Sequence, residues 1–178
     1  VQTYANLQSS ELYRPVNSKG LSHLKSFHSA DIGLNLHTQL SKGMHLNLFS
    51  YYINERYTAN RGSFNYRGEQ NATNKRNFNI LNLAYSTSWK NSFTLNMATD
   101  VASTHYLFGS ITDHTQQLST FVSLAWKHCL TENLSVAVGL YNEYLRYKYD
   151  GEYPSAYFLV HPSNEHSYRK SAIWMNKS

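Results

Sequence analysis

Basic and aromatic side chains concentrate in the polar stretch of residues 54–76, where their chemistry suits ligand binding. Guanidinium groups form charge-assisted hydrogen bonds, and aromatic rings stack on flat or sugar-like groups. The stretch therefore predicts a site for an anionic or sugar-like ligand, with a solvated loop as the alternative interpretation. Its candidate ligand-binding residues are Arg56, Tyr57, Arg61, Tyr66 and Arg67.

A second polar stretch, residues 150–165, contributes Tyr153 and Tyr157 as further candidate ligand-binding residues. Its apolar run at residues 157–160 would reach a ligand or a partner if it folded inward over the strands. Packing of the loop on itself is the other interpretation of the same pattern.

Nine histidines raise the question of a metal or haem site. In the predicted first hairpin, His37 and His45 are diagonal rather than opposite neighbours, and His105 and His114 are expected to flank a loop. No H-E-x-x-H spacing occurs, and the single cysteine, Cys129, cannot build a zinc site alone. The sequence predicts no metal and no cofactor.

A serine–histidine pair is the strongest enzymatic candidate. Ser103 and His105 lie two residues apart, on one face of a predicted strand, while Asp100 falls on the opposite face. No strained serine turn of the G-x-S-x-G type is present. We therefore expect a protein that is not an enzyme.

Composition limits the classes of protein that remain. The 178 residues have a mean hydropathy of −0.54, with 15% aromatic and 15% charged residues. No run approaches the roughly 18 apolar residues of a membrane helix. The net charge of +5 is scattered rather than gathered in a basic stripe, so nucleic acid is not an expected partner.

Strict alternation of apolar and polar residues dominates the chain and predicts β-strands. Three hairpins meet at tight turns near residues 41–43, 90–92 and 127–133. In the first, Leu36 should face Leu48, Thr38 should face Leu46, and Leu40 should face Met44. One side of each hairpin is then aliphatic and the other polar. This is expected when one face is kept from water, because the strand register then has to hold all the apolar residues on that face.

Long polar stretches separate these hairpins at residues 54–76, 107–116 and 150–165, and they are expected to be loops. Short turns at one end and long loops at the other are typical of outer-membrane barrels. The strands look 10 to 15 residues long, longer than those of most soluble sheets. Aromatic residues near the strand ends suggest interfacial girdles: Tyr52, Tyr57, Trp89, Phe93, Trp126 and Trp174.

The fold class predicted from these patterns is all-β, an antiparallel up-and-down meander that forms part of a transmembrane outer-membrane β-barrel. Residues 1–178 should be a single segment with about six to seven strands and no plug domain. Residues 3–7 suggest a further strand end, and residues 167–175 the last strand. The first residues lack a basic region followed by an apolar one, so we expect a processed product or a stretch of a longer chain.

The order of loop, strand, tight turn and strand resembles the barrel of TonB-dependent outer-membrane receptors, especially those of Bacteroidetes. The most similar stretch is residues 17–54, NSKGLSHLKSFHSADIGLNLHTQLSKGMHLNLFSYYIN. The resemblance implies an interior portion of a roughly 22-stranded barrel around a plug, in the bacterial outer membrane, that takes up a scarce ligand.

The same resemblance implies the partners. These are outer-membrane lipid and lipopolysaccharide, the remaining strands and plug of the same protein, TonB, and a surface lipoprotein. The basic residues of 54–76 would then face lipopolysaccharide phosphates or the lipoprotein if they do not bind ligand.

Two other functions fit the pattern. The first is a small, complete outer-membrane barrel that acts as an enzyme or adhesin. The second is a soluble all-β binding module, whose aliphatic face would be covered by a second protein layer.

Overall fold

The computed structural model describes residues 1–13, 15–17, 19, 23–62, 67–88, 90–154 and 159–177. Its elements, in chain order, are β1 (Gln2–Ser9), α1 (Ser10–Tyr13), β2 (Leu24–Ser41), β3 (Met44–Gly62), β4 (Arg67–Ser88), β5 (Asn91–Phe108), β6 (Ile111–Thr131), β7 (Leu134–Pro154), β8 (Leu159–Val160) and β9 (Ser163–Lys177).

Strands β1 to β8 each pair antiparallel with their sequence neighbours. The order is β1 through β8, and β9 pairs with β7 beside the two-residue β8. The predicted antiparallel up-and-down meander is confirmed, with nine strands in the described residues rather than six or seven. None of the described helices is long and apolar enough to cross a membrane.

Two-residue turns close several hairpins and fix their register. Gly43 adopts φ of 84° between β2 and β3, and Gly109 adopts φ of 62° between β5 and β6. Residues with a Cβ rarely adopt these left-handed angles, so glycine is the residue suited to both places. The register predicted for the first hairpin is confirmed at Leu36–Leu48 and Thr38–Leu46.

The position of Leu40 differs from the prediction. An irregularity between Gln39 and Ser41 leaves Ser41, not Leu40, opposite Met44. Such an extra residue beside a turn is a common strand irregularity that increases local twist.

The predicted long loops are wrong: the described parts of residues 54–76, 107–116 and 150–165 lie mostly in strands. Residues 54–62 and 67–76 continue β3 and β4, and Asn54 pairs with Lys75. Residues 107–116 close at Gly109-Ser110, with Phe108 opposite Ile111. At the first of these hairpin ends most residues on both faces are polar, so the alternation that indicates a strand disappears there although the backbone pairing continues.

Strands β2 to β7 are long, each with 18 to 22 residues. They bury almost nothing: among described residues, Phe108 has the sole buried apolar side chain, at 7% exposure. Ser10, Ser29 and Gln70 are the buried polar residues in the same part of the chain. The described residues thus form one sheet whose two faces both remain open.

Candidate functional site

One face of the sheet carries an aliphatic belt, and we call it the leucine face. Paired residues of an antiparallel sheet lie on the same face, so each cross-strand row can be followed from strand to strand. One row joins Leu36, Leu48, Leu81, Met97 and Val122; the row beside it joins Leu46, Leu83, Leu95, Leu124 and Leu140. Their exposure is high for leucines, at 43% for Leu124 and 47% for Leu140.

The opposite face carries a chain of hydrogen-bonded amides, and we call it the amide face. This amide ladder begins where His37 Nδ1 bonds Asn47 Oδ1. Asn47 Nδ2 donates to Asn82 Oδ1 at 3.1 Å, and Asn82 Nδ2 donates to Asn96 Oδ1 at 2.6 Å. Asn96 Nδ2 then donates to Ser123 Oγ at 3.1 Å. Five strands are tied together on this side alone.

The amide ladder lies directly behind the aliphatic belt. Asn96 stands between Leu95 and Met97 in the chain, and Asn82 stands between Leu81 and Leu83. Side chains at adjacent strand positions point to opposite faces. The same short length of each strand is therefore suited to an apolar medium on one side and a polar one on the other.

Aromatic residues edge the belt at the turn end. Tyr85, Phe93 and Trp126 form one cross-strand row on the leucine face, each 38 to 40% exposed. This placement agrees with a girdle. Tyr57 and Trp174, expected in the same girdle, instead lie on the amide face, and Trp89 lies outside the described residues.

The sequence-predicted binding residues divide between the two faces because neighbouring strand positions alternate. Arg56 and Arg67 lie on the leucine face, both exposed. Tyr57, Arg61 and Tyr153 lie on the amide face. Tyr66 and Tyr157 lie outside the described residues. The described members of the predicted set are therefore not assembled as one site.

Two of the predicted residues, Tyr57 and Arg61, are bridged by a third side chain. Gln70, 6% exposed, donates from Nε2 to the Tyr57 hydroxyl at 2.7 Å and accepts from Arg61 Nη1 at 3.2 Å. The glutamine lies opposite Ala59 and links the tyrosine and the arginine that flank it on the amide face near the hairpin end. Hydroxyl, guanidinium and ring together offer hydrogen-bond donors and a stacking surface.

A second cluster on the amide face was missed by sequence reasoning because its strands were taken for a loop. Tyr106 pairs with Asp113, and Thr115 donates to Asp113 Oδ1 at 3.1 Å. Tyr149 is Thr115's partner on β7. Burial, followed by the charge of Asp113, raises the pKa of the Tyr149 phenol. The spacing of two residues between Asp113 and Thr115 was the available signal.

Four of the nine histidines form two pairs in the described residues. His37 and His45 are diagonal as expected, with ring centroids 6.5 Å apart. His105 and His114 face each other directly at 5.8 Å, because the tight turn at Gly109 replaces the expected loop. The described residues contain no group of three or more His, Cys, Asp or Glu side chains placed to hold a metal ion.

The serine–histidine candidate lacks its acid. Ser103 and His105 lie on the leucine face, whereas Asp100 lies on the amide face and accepts two bonds from Arg76, at 2.8 and 2.7 Å. A carboxylate already engaged on the far side of the sheet cannot orient His105. The described geometry does not assemble a Ser–His–Asp triad.

Comparison with known proteins gives structural likenesses only. No family model matches, and no curated protein matches. The ferric-catecholate import receptor Fiu of Escherichia coli, in its open form, aligns with a TM-score of 0.48 and 8% identity over 85% of this chain. The ferric yersiniabactin uptake receptor FyuA of Yersinia pestis aligns at 0.43, with 12% identity over 84%. The chain spans 32% and 26% of these two receptors.

Proposed function

We propose that this chain is a wall segment of an outer-membrane β-barrel of the TonB-dependent receptor type, which takes up a scarce ligand. One observation carries the proposal: an aliphatic belt on one face is backed, residue for residue, by a hydrogen-bonded amide ladder on the other. Acyl chains would cover the belt, and the wet interior of the barrel would solvate the amides.

Strand length supports the membrane interpretation. A tilted strand crosses the hydrocarbon with about 9 to 11 residues. Strand β3 has 19 residues, and its belt leucines, Leu46 and Leu48, lie close to the turn. Its last 12 residues, 51–62, extend about 40 Å further. That outer length is polar on both faces over much of its course, as a hairpin projecting into water would be.

The outer part of the amide face is the proposed ligand-contacting surface. Tyr57 and Arg61, held by Gln70, lie at one side, and Tyr106 and Asp113 lie two and three strands further along. Tyrosines with flanking donors and acceptors suit a hydroxyl-rich or aromatic ligand through stacking and hydrogen bonds. The residues on the leucine face, Arg56 and Arg67, are assigned to the outer surface instead.

The other two functions meet specific obstacles. A soluble binding module needs a second layer against Leu95 and Leu124, and the described residues supply none. An enzyme of the Ser–His type needs an acid for His105, and Asp100 is on the opposite face. An adhesin remains compatible with the belt, and the test below separates it from a receptor.

The full-length protein that contains this chain tests the proposal in two stages. After expression with its own leader in a Gram-negative host, it should fractionate with the outer membrane, resist urea extraction and shift in gel mobility only after boiling. Recovery in a soluble fraction as a monomer would overturn the barrel assignment. Purified protein should then bind the isolated periplasmic domain of TonB; membrane insertion without that binding would favour the adhesin.

A further inference from the structure

We propose that the leucine face binds the phosphate groups of lipopolysaccharide through Arg146 and Lys148, just beyond the aliphatic belt. The inference rests on the proposed function, because it needs the leucine face to meet the outer leaflet. It adds a binding site that is separate from the ligand-contacting surface on the amide face.

Charge is sorted between the two faces in the four cross-strand rows that follow the belt, at β3 residues 50–57. On the leucine face, five basic residues stand against two acids: Arg56, Lys75, Arg146, Lys148 and Arg169 against Asp150 and Glu165. On the amide face the balance is reversed, with Arg76 against Asp31, Glu55, Asp100 and Asp113.

Solvation by water alone does not explain why the cations lie on the leucine face and the acids on the amide face. Water accepts either sign of charge on either face. A layer of phosphate beside the leucine face would favour cations there, and long basic side chains can lay their stems along apolar surface while the charge reaches the headgroups. The cations therefore mark the level at which an anionic headgroup layer would lie.

A groove on the leucine face brings the required groups together. Val101 and Leu118 give it an apolar floor, and Val101 is 47% exposed. Ser103 and Gln116 add a hydroxyl and an amide, and Arg146 and Lys148 complete the lining. An acyl chain would lie along the floor, and a phosphate would accept hydrogen bonds from the cations above it.

The two cations differ in how they are engaged. Arg146 Nε donates to Glu165 Oε1 at 2.6 Å, which leaves the terminal nitrogens of its guanidinium as further donors. Lys148 makes no hydrogen bond with the described residues, but it lies opposite Glu165 in register and its charge acts on that carboxylate. Glu165 is thus a built-in competitor for the phosphate, and its removal should strengthen binding.

The test measures binding of purified bis-phosphorylated lipid A to the full-length protein in detergent, by native mass spectrometry. Arg146→Gln with Lys148→Gln should weaken binding roughly tenfold or more, since each cation near a lipid surface contributes appreciably. The matched control is Lys127→Gln with Lys170→Gln, which removes the same charge from the amide face and should leave binding unchanged. Glu165→Gln should tighten binding.

Each other outcome contradicts the inference. An equal loss of lipid A binding in both double variants would mean that binding depends on the net charge of the protein and not on the position of the cations. Unchanged binding of dephosphorylated lipid A would assign the contact to the acyl chains alone. If inorganic phosphate competed as well as lipid A itself, the site would recognise phosphate without the lipid. All variants must keep the boiling-dependent gel shift. Failure of the wild type to enter the outer membrane would instead defeat the proposed function.

Discussion

The two faces of β5 make opposite demands on their surroundings over a few ångströms of backbone. Leu95 sits between Leu83 and Leu124 on the leucine face, and its neighbour Asn96 sits in the amide ladder between Asn82 and Ser123. In a soluble sheet with one wet face, the dry face is sealed by protein. Here the aliphatic belt stays open in the described residues, so the medium that covers it decides what the protein is.

The comparison also separates two kinds of polar residue. Those of the amide ladder bond to one another across strands and satisfy much of their hydrogen-bonding capacity within the sheet. Those beyond the belt on the leucine face, such as Lys148, project cations with fewer internal partners. The first kind ties the wall together, and the second projects toward whatever covers the leucine face.

The largest expected effect comes from placing one charge on each face at the same level. Leu95→Arg should destabilise the folded protein in bilayers by about 2–4 kcal/mol, the cost of Arg on the lipid face near the midplane. Asn96→Arg should cost much less, because its side chain would project into the wet interior. Denaturant-dependent folding of the full-length protein into phospholipid vesicles measures both values. Equal costs would mean that both faces meet the same medium.

A smaller effect should follow from interrupting the amide ladder. Asn82→Leu removes its bonds with Asn47 and Asn96, and we expect a loss of about 1–2 kcal/mol on the same assay. The control is Asn35→Leu, an exposed position on the same face whose side chain makes no hydrogen bond with the described residues. A stabilised Asn82→Leu variant would mean that the amide face is dry.

The smallest effect is a pH dependence at the outer end of the amide face. The pKa of Tyr149 is raised above 10.0 by burial and by Asp113. Its contribution to stability is therefore full below pH 10 and lost as pH rises through the folded pKa. The ultraviolet titration curve of the Tyr149→Phe variant is subtracted from that of the wild type. The difference should show one phenol that ionises above pH 10. Asp113→Asn should move that step downward; an unmoved step would remove Asp113 from the account.

Much of the belt was predictable from the sequence. Leu36, Leu46 and Leu48 follow a strict period of two, and the glycine of the two-residue turn fixes which of them face each other. Once that register is set, the polar residues between them must share the other face. The position of Leu40 was not predictable, because an irregularity beside a turn leaves the alternation pattern almost unchanged.

The outer hairpin ends and the candidate site were less predictable for a physical reason. Where both faces of a strand are exposed to water, hydrophobic periodicity carries no information. The sequence pattern of residues 67–76 therefore predicts a loop. The opposite orientation of Arg56 and Tyr57 follows at once when that segment is recognised as a strand. The contact of Gln70 with Tyr57 needs the β3–β4 register over the whole hairpin, which no local pattern provides.

Spin labels along β5 would show which medium covers each face of the sheet. With Cys129 replaced by serine, single cysteines at residues 93–98 would each carry a nitroxide in the full-length protein, reconstituted in lipid bilayers. Collisions with oxygen, which partitions into acyl chains, should peak at Phe93, Leu95 and Met97. Collisions with a water-soluble nickel chelate should peak at Thr94, Asn96 and Ala98. Low accessibility to both reagents at the odd positions would place them in a sealed protein interior and contradict the account.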